Sequence, residues 1–301
     1  MSLAEGILGA QLAALVAGFG FAAWSDLKDR EVTDRLWQWL GLIGVALGAV
    51  AFGGGGLLPT ALWLLVGGLA LEHMFPWDDL LGERADRLAD GIEAVAYAVV
   101  VAAVAIAVVR VGVGPSEVPW AVVALLASIL LARGLFEAGV LYGGADAKAL
   151  MIAGVLVPTF TAVAWPLGGT LAGVLGWVPF SLDLLTNAAL VSLAIPLAIG
   201  LRNVARKEFH FPGGFSGYRI PVRELPERYV WLENPMRSNA ADVETSEEDR
   251  QLRARLAQEL TAKGVETVWV TPQIPFLVVM AVGAVLTLLA GNLVLDLVAL
   301  A

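Results

Sequence analysis

Cysteine is absent from this 301-residue chain, and with it go disulfides, thiolate nucleophiles and cysteine metal centres. Histidine is nearly absent: His73 and His210 are the two it has, far apart in sequence. That argues against a Ser-His-Asp triad and against a multi-histidine metal site. Charge is scarce as well, at 16% of residues against about a quarter in soluble chains. Whatever chemistry the chain performs must rest on carboxylates, and neither a metal nor another cofactor is expected.

What replaces charge is apolar surface. The chain is 58% hydrophobic with a mean hydropathy of +0.76, more than a soluble core can use. Eight apolar segments stand out, at residues 6–24, 36–52, 57–75, 92–113, 118–141, 147–165, 184–201 and 274–295. Each approaches the ~17–25 residues that cross a hydrocarbon core. Gly53-Gly54-Gly55-Gly56 predicts a tight turn between the second and third, and Pro196 falls inside the seventh. The start of the chain has no basic residue ahead of its apolar run, so no cleavable signal is expected there.

Basic residues orient the segments. With the N-terminus outside, eighteen of the nineteen Lys and Arg fall inside, leaving Arg110 outside, as the positive-inside rule demands. The polar stretch 202–271 then lies inside. It carries eleven acidic and eleven basic residues, a balance unlike a nucleic-acid surface. Alternating β-formers around Tyr218–Pro221 predict short strands, residues 244–263 predict a helix capped by Thr245 or Ser246, and residues 265–270 predict a returning strand. The expected architecture is an all-α polytopic membrane bundle of about eight transmembrane helices with a small cytoplasmic α+β domain before the last helix. Its expected divisions are a membrane core at 1–201, a soluble domain at 202–272 and a last membrane helix at 273–301. The net charge of −9 gives an acidic surface suited to high salt or basic partners.

Ionisable groups at membrane depth are costly, so each is a candidate for function. They are Asp26, Glu72, Glu93, Glu137, Asp146, Asp183 and Asp296. Asp183 and Asp296 fall at outer ends, where solvation is the plain reading. Glu72, His73 and Glu93 fall at inner ends, where a helix-dipole or packing role is the plain reading. Asp26 and Asp146 stand apart, because an orientation derived without them puts both on one side at similar depth. Two carboxylates that approach share a proton, and the pair can serve one water as general base and general acid. Gly143 and Gly144 allow a bend and a close approach of substrate, and Asp146 sits near a helix N-terminus that favours one ionised carboxylate. The pattern Gly-x-hydrophobic-Asp itself arises by chance about once in such a chain, so position and partner carry the reading. The rival from another class is a polytopic ion-coupled transporter or channel using intramembrane carboxylates.

At these residues the chain resembles the archaeal preflagellin and prepilin peptidases, the type III signal peptidases. Ser25-Asp26-Leu27-Lys28-Asp29-Arg30-Glu31-Val32 resembles the family's first catalytic segment. Gly143-Gly144-Ala145-Asp146-Ala147-Lys148 resembles its second, the Gly-x-hydrophobic-Asp motif. Pro272-Gln273-Ile274-Pro275-Phe276, opening the last helix after a polar domain, resembles the archaeal branch. The chain departs from the family in having more apolar segments. It lacks the cysteine pairs of the bacterial relatives, so their zinc site is not implied, and Ala145 stands where the stricter motif has glycine. The resemblance implies an aspartic endopeptidase with Asp26 and Asp146 as catalytic residues and Gly143, Gly144 and Lys148 as motif support. It implies cleavage of signal peptides from pilin and flagellin precursors at the cytoplasmic face. Such substrates carry a basic stretch, and Asp29, Glu31, Asp34, Asp78 and Asp79 are the acids expected to attract it. Expected partners are those precursors and the lipid bilayer.

Overall fold

A computed structural model describes residues 2–75, 86–112, 118–141, 143–159, 177–232 and 246–300. The described chain is mostly helical: α1 Leu3–Asp29, α2 Asp34–Gly53, α3 Leu57–Glu72, α4 Asp86–Val111, α5 Val118–Glu137, α6 Gly144–Leu156, α7 Phe180–Ser192 and α8 Ala194–Ala205. Strands β1 Tyr218–Pro221 and β2 Val230–Leu232 follow, then α9 Ser246–Ala262, β3 Thr267–Pro272, α10 Phe276–Ala290 and α11 Leu293–Leu300. Five helical stretches are long and apolar enough to cross a membrane: Leu3–Asp29, Asp34–Gly53, Glu93–Val111, Pro119–Glu137 and Phe180–Ala205. Leu57–Glu72 and Phe276–Ala290 are apolar but shorter, at 16 and 15 residues, and the end of the sixth apolar segment lies outside the described residues. Five such stretches, rather than eight, therefore stand among the described residues.

The chain divides into two compact units. The first comprises Met1–Trp24, Val32–Ala188 and Leu277–Ala301. Glycines let its helices approach closely, as small residues do where lipid removes the hydrophobic drive between helices. A Cβ on Gly67 of α3 would lie 2.8 Å from Val45 Cγ2 of α2. One on Gly44 of α2 would lie 2.7 Å from Val155 Cγ1 of α6. The buried Trp63 Nε1 donates to Val45 O at 3.0 Å, tying α3 to α2. Helix α6 packs against α2, α3 and α5 and buries nine of its thirteen residues, the mark of a helix enclosed on all sides.

The second unit comprises Ser25–Glu31 and Ala189–Phe276. Its sheet is antiparallel in the order β1-β3-β2, with Tyr218 opposite Val270 and Val230 opposite Pro272. Ile220, Val222, Leu225, Val230, Ala257 and Val270 form its core, with Leu256 and Leu260 of α9 packed on it. The strands and α9 thus fall close to the segments that the sequence pattern marked for them; Thr245, one of the two expected caps, lies outside the described residues.

Candidate active site

Helix α1 runs further than its apolar segment, so Asp26 lies inside its last turn rather than after it. The helix is stopped by Arg30 in the left-handed region (φ 60°), whose N–H donates to Asp26 O at 3.2 Å. Ser25 Oγ donates to Glu31 O at 2.7 Å, folding the following chain back onto the helix end. Burial lowers the Arg30 pKa from its ordinary value, while attraction from Asp26 and Tyr229 opposes that. The guanidinium lies 4.8 Å over the Tyr229 ring, which Arg253 of α9 also faces at 5.4 Å. The segment carrying Asp26 is therefore held against Tyr229 of the second unit. Asp29 and Glu31 are exposed, and Asp29 lies 3.8 Å from Lys28.

Asp146 occupies the third position of α6, with Gly143 as N-cap. Its N–H donates to Gly143 O at 3.1 Å, and its half-buried carboxylate folds back over that glycine. A Cβ at Gly143 would sit 3.0 Å from Asp146 Oδ2. Gly143 has φ −99° and ψ 127°, a conformation open to any residue, so space for the carboxylate is what requires glycine there. Gly144 is different: a Cβ there would meet nothing within 4 Å. An acid in the first turn also meets the partial positive charge of the helix N-terminus. Because α6 is enclosed by three helices, the backbone that aims Asp146 is fixed.

Lys148 Nζ donates to Asp34 Oδ1 at 2.5 Å, with Lys148 80% removed from solvent and Asp34 half-exposed. This pair joins the start of α2 to the start of α6, beside Asp146. Asp34 is thereby engaged within the bundle, a connection across 114 residues that no local sequence pattern signals. Asp78 and Asp79 lie outside the described residues. Asp26 falls in the second compact unit and Asp146 in the first, and each is described in its own surroundings.

If Asp146 is a reacting group, Gly143→Ala should lower kcat by about 10- to 100-fold, the scale of a misplacement of up to about 1 Å. KM and thermal stability should barely move. Steady-state kinetics and a melting curve check this, with Gly144→Ala as the control that leaves the apo fold unchanged.

Asp183 departs from its expected place in solvent. It is fully buried in α7, where Asn292 Nδ2 donates to its Oδ1 at 2.6 Å. Its Oδ2 has no hydrogen-bond partner among the described residues. The turn between α10 and α11 covers it. One helical turn on, the buried Asn187 Nδ2 donates to Thr287 Oγ1 at 2.9 Å and Gly291 O at 2.7 Å.

These features describe a mostly helical protein with five stretches long and apolar enough to cross a membrane, an enclosed helix that opens on a glycine-flanked aspartate and a small three-stranded sheet. Residues 211–293 match the family model described as Archaeal Peptidase A24 C-terminus Type II. The match supports the archaeal preflagellin and prepilin peptidase family for this chain, and that family implies protease activity. It spans β1 to the start of α11 and includes neither Asp26 nor Asp146. No curated protein and no solved structure matched the chain.

Proposed function

We propose that the chain is an intramembrane aspartic endopeptidase that removes type III signal peptides from preflagellins and type IV prepilin-like precursors at the cytoplasmic face. The observation that carries this reading is the family match over residues 211–293. The packing of Asp146 supports it, on an enclosed helix with a glycine that clears room for its carboxylate. In the proposed reaction one aspartate of the Asp26–Asp146 pair is ionised and takes a proton from water. The water oxygen bonds to the scissile carbonyl carbon while the other, protonated aspartate donates to the carbonyl oxygen. The tetrahedral gem-diol then collapses: the aspartate that took the water proton gives it to the amide nitrogen, the C–N bond breaks, and the other aspartate takes back a hydroxyl proton as the carbonyl re-forms. With the N-terminus outside, the exposed Asp29 and Glu31 are the acids that attract the basic stretch of such a precursor. Asp34, engaged by Lys148, serves the alignment of α2 with α6 instead.

The test is the purified chain in liposomes with a precursor holding a basic stretch followed by an apolar helix. A single scission between the two, seen by mass spectrometry, is the expected result. An intact precursor with ion flux across the same liposomes would favour a transporter and overturn the reading.

A further inference from the structure

A second polar cluster, which two-aspartate hydrolysis does not use, joins the ends of α3, α4 and α5 in the first unit. Glu72 ends α3 and His73 is its C-cap, while Glu93 lies on α4. All three are half-buried, and one ligand atom of each lies within 4.8 Å of the others. His73 Nε2 is 2.6 Å from the Tyr97 hydroxyl, and His73 Nδ1 is 3.3 Å from Glu72 Oε2. Arg133 of α5 pairs with Glu93, lies 3.9 Å from Glu137 and stacks 5.1 Å over the Tyr97 ring.

We propose that Glu72, His73 and Glu93 bind one divalent transition-metal ion of the zinc class. With Nε2–H donating to Tyr97, the Nδ1 lone pair faces the Glu72 carboxylate. That is the arrangement of a ligating histidine whose other nitrogen is fixed by an outer partner. The 3.3 Å between Nδ1 and Oε2 is long for a hydrogen bond. It equals the edge, about 3.3 Å, between two ligands bonded at about 2.0–2.1 Å to a tetrahedral ion. Charge agrees with this reading. The half-buried Glu72 and Glu93 carboxylates face the one guanidinium of Arg133, which also reaches the exposed Glu137. A divalent ion adds positive charge where burial makes an excess of carboxylate costly.

Arg133 is not stranded by the change. As Glu93 turns to the ion, Arg133 keeps Glu137 as its carboxylate and Tyr97 as its stacking face. A cavity of about 300 Å³ lined by Glu93, Ala94, Tyr97, Leu130 and Arg133 gives access and room for water to complete the coordination. One imidazole with two carboxylates suits Zn²⁺, Mn²⁺ or Fe²⁺ better than Mg²⁺ or Ca²⁺, which prefer all-oxygen shells. The ion would clamp α3 to α4. This departs from the expectation of no metal, which rested on the small number of histidines.

The full chain, purified in detergent with a histidine-free tag and stripped by chelator, is titrated with Zn²⁺ and its bound metal counted by mass spectrometry. We expect one equivalent per chain. His73→Ala and Glu93→Gln should each weaken binding at least about tenfold, while His210→Ala leaves it unchanged. Co²⁺ should give visible absorption bands in the wild type that His73→Ala abolishes. If His73→Ala fails to fold, His73→Gln carries the same comparison. Substoichiometric Zn²⁺, equal binding by the His73 variants, or Mg²⁺ bound as tightly as Zn²⁺ would overturn the site. Binding is read without peptidase activity, so it stands or falls apart from the proposed reaction.

Discussion

Asp146→Asn should leave a chain that folds and inserts but cleaves precursor about 10²- to 10⁴-fold more slowly, the range that a positioned acid–base group contributes. Asparagine keeps the side chain's shape at the third position of α6, where Asp146 is half-buried and its backbone is held by Gly143. What it removes is the capacity to take up and return a proton. Substrate affinity should change little, because an apolar signal helix binds through contacts remote from the reacting bond. The loss therefore belongs in kcat rather than KM. Asp26→Asn should behave alike. Its side chain sits in the last turn of α1 beside a chain reversal whose hydrogen bonds come from Ser25 Oγ and the Arg30 backbone; the substitution also removes the charge that attracts Arg30.

The double variant sharpens the test. In the proposed reaction the two aspartates act as a unit, so the second substitution should cost far less than the first. Rates of Asp26→Asn, Asp146→Asn and the double variant, measured on one precursor in liposomes, check this. A rate within about tenfold of wild type for either single variant would remove that residue from the chemistry. Multiplicative losses would mean two independent roles.

Composition and periodicity carried the architecture wherever the cause was local. Gly53–Gly56 turns the chain because Gly56 adopts φ 102°, and glycine is the residue that does so without strain. Tyr218–Pro221 and Thr267–Pro272 pair as strands from β-formers readable in place. Where the cause was a proline, hydropathy overran it. Helix α6 stops at Leu156, two residues before Pro158, as the restriction on the residue preceding proline requires. The apolar stretch across Phe180–Ala205 is interrupted at Leu193, since Pro196 has no N–H for the carbonyl of Ser192.

The candidate site was legible as residue types but not as partners. The Lys148–Asp34 pair, the Glu72–His73–Tyr97 contacts and the burial of Asp183 each join segments distant in sequence, and no window of local sequence contains both halves. Gly143 is a different case. The motif marks it, but the reason for glycine there is the clearance above Asp146 Oδ2, which only a three-dimensional arrangement shows. The family match reinforces the division: it covers the sheet and α10, while the aspartates are read from position and packing.

Asn187→Ala should lower stability by about 2–4 kcal/mol. Asn187 spends its whole side chain on the segment that ends the matched region. It donates to Thr287 Oγ1 and Gly291 O, and its Oδ1 accepts from Leu293 N at 3.0 Å. Its helix also comes close enough to α10 that a Cβ at Gly283 would lie 2.8 Å from Ala188 N, so water cannot replace the lost bonds. Alanine leaves the Gly291 carbonyl and the Leu293 N–H without that partner. In membrane bundles an interhelical bond averages only about 0.6 kcal/mol, so a larger loss must come from the two stranded backbone groups. Thr287→Val separates the two sources. Thr287 Oγ1 otherwise donates to Gly283 O on its own helix, and its loss strands only one donor of Asn187, so about 1 kcal/mol or less is expected. Asp183→Asn completes the set: it keeps an acceptor for Asn292 and removes an ionisable group from a buried place, and should be neutral or stabilising. Melting curves of the four proteins in one detergent give the order Asn187→Ala, then Thr287→Val, then wild type at or below Asp183→Asn. An Asn187→Ala protein as stable as Thr287→Val would show that the backbone of the α10–α11 turn does not depend on this side chain.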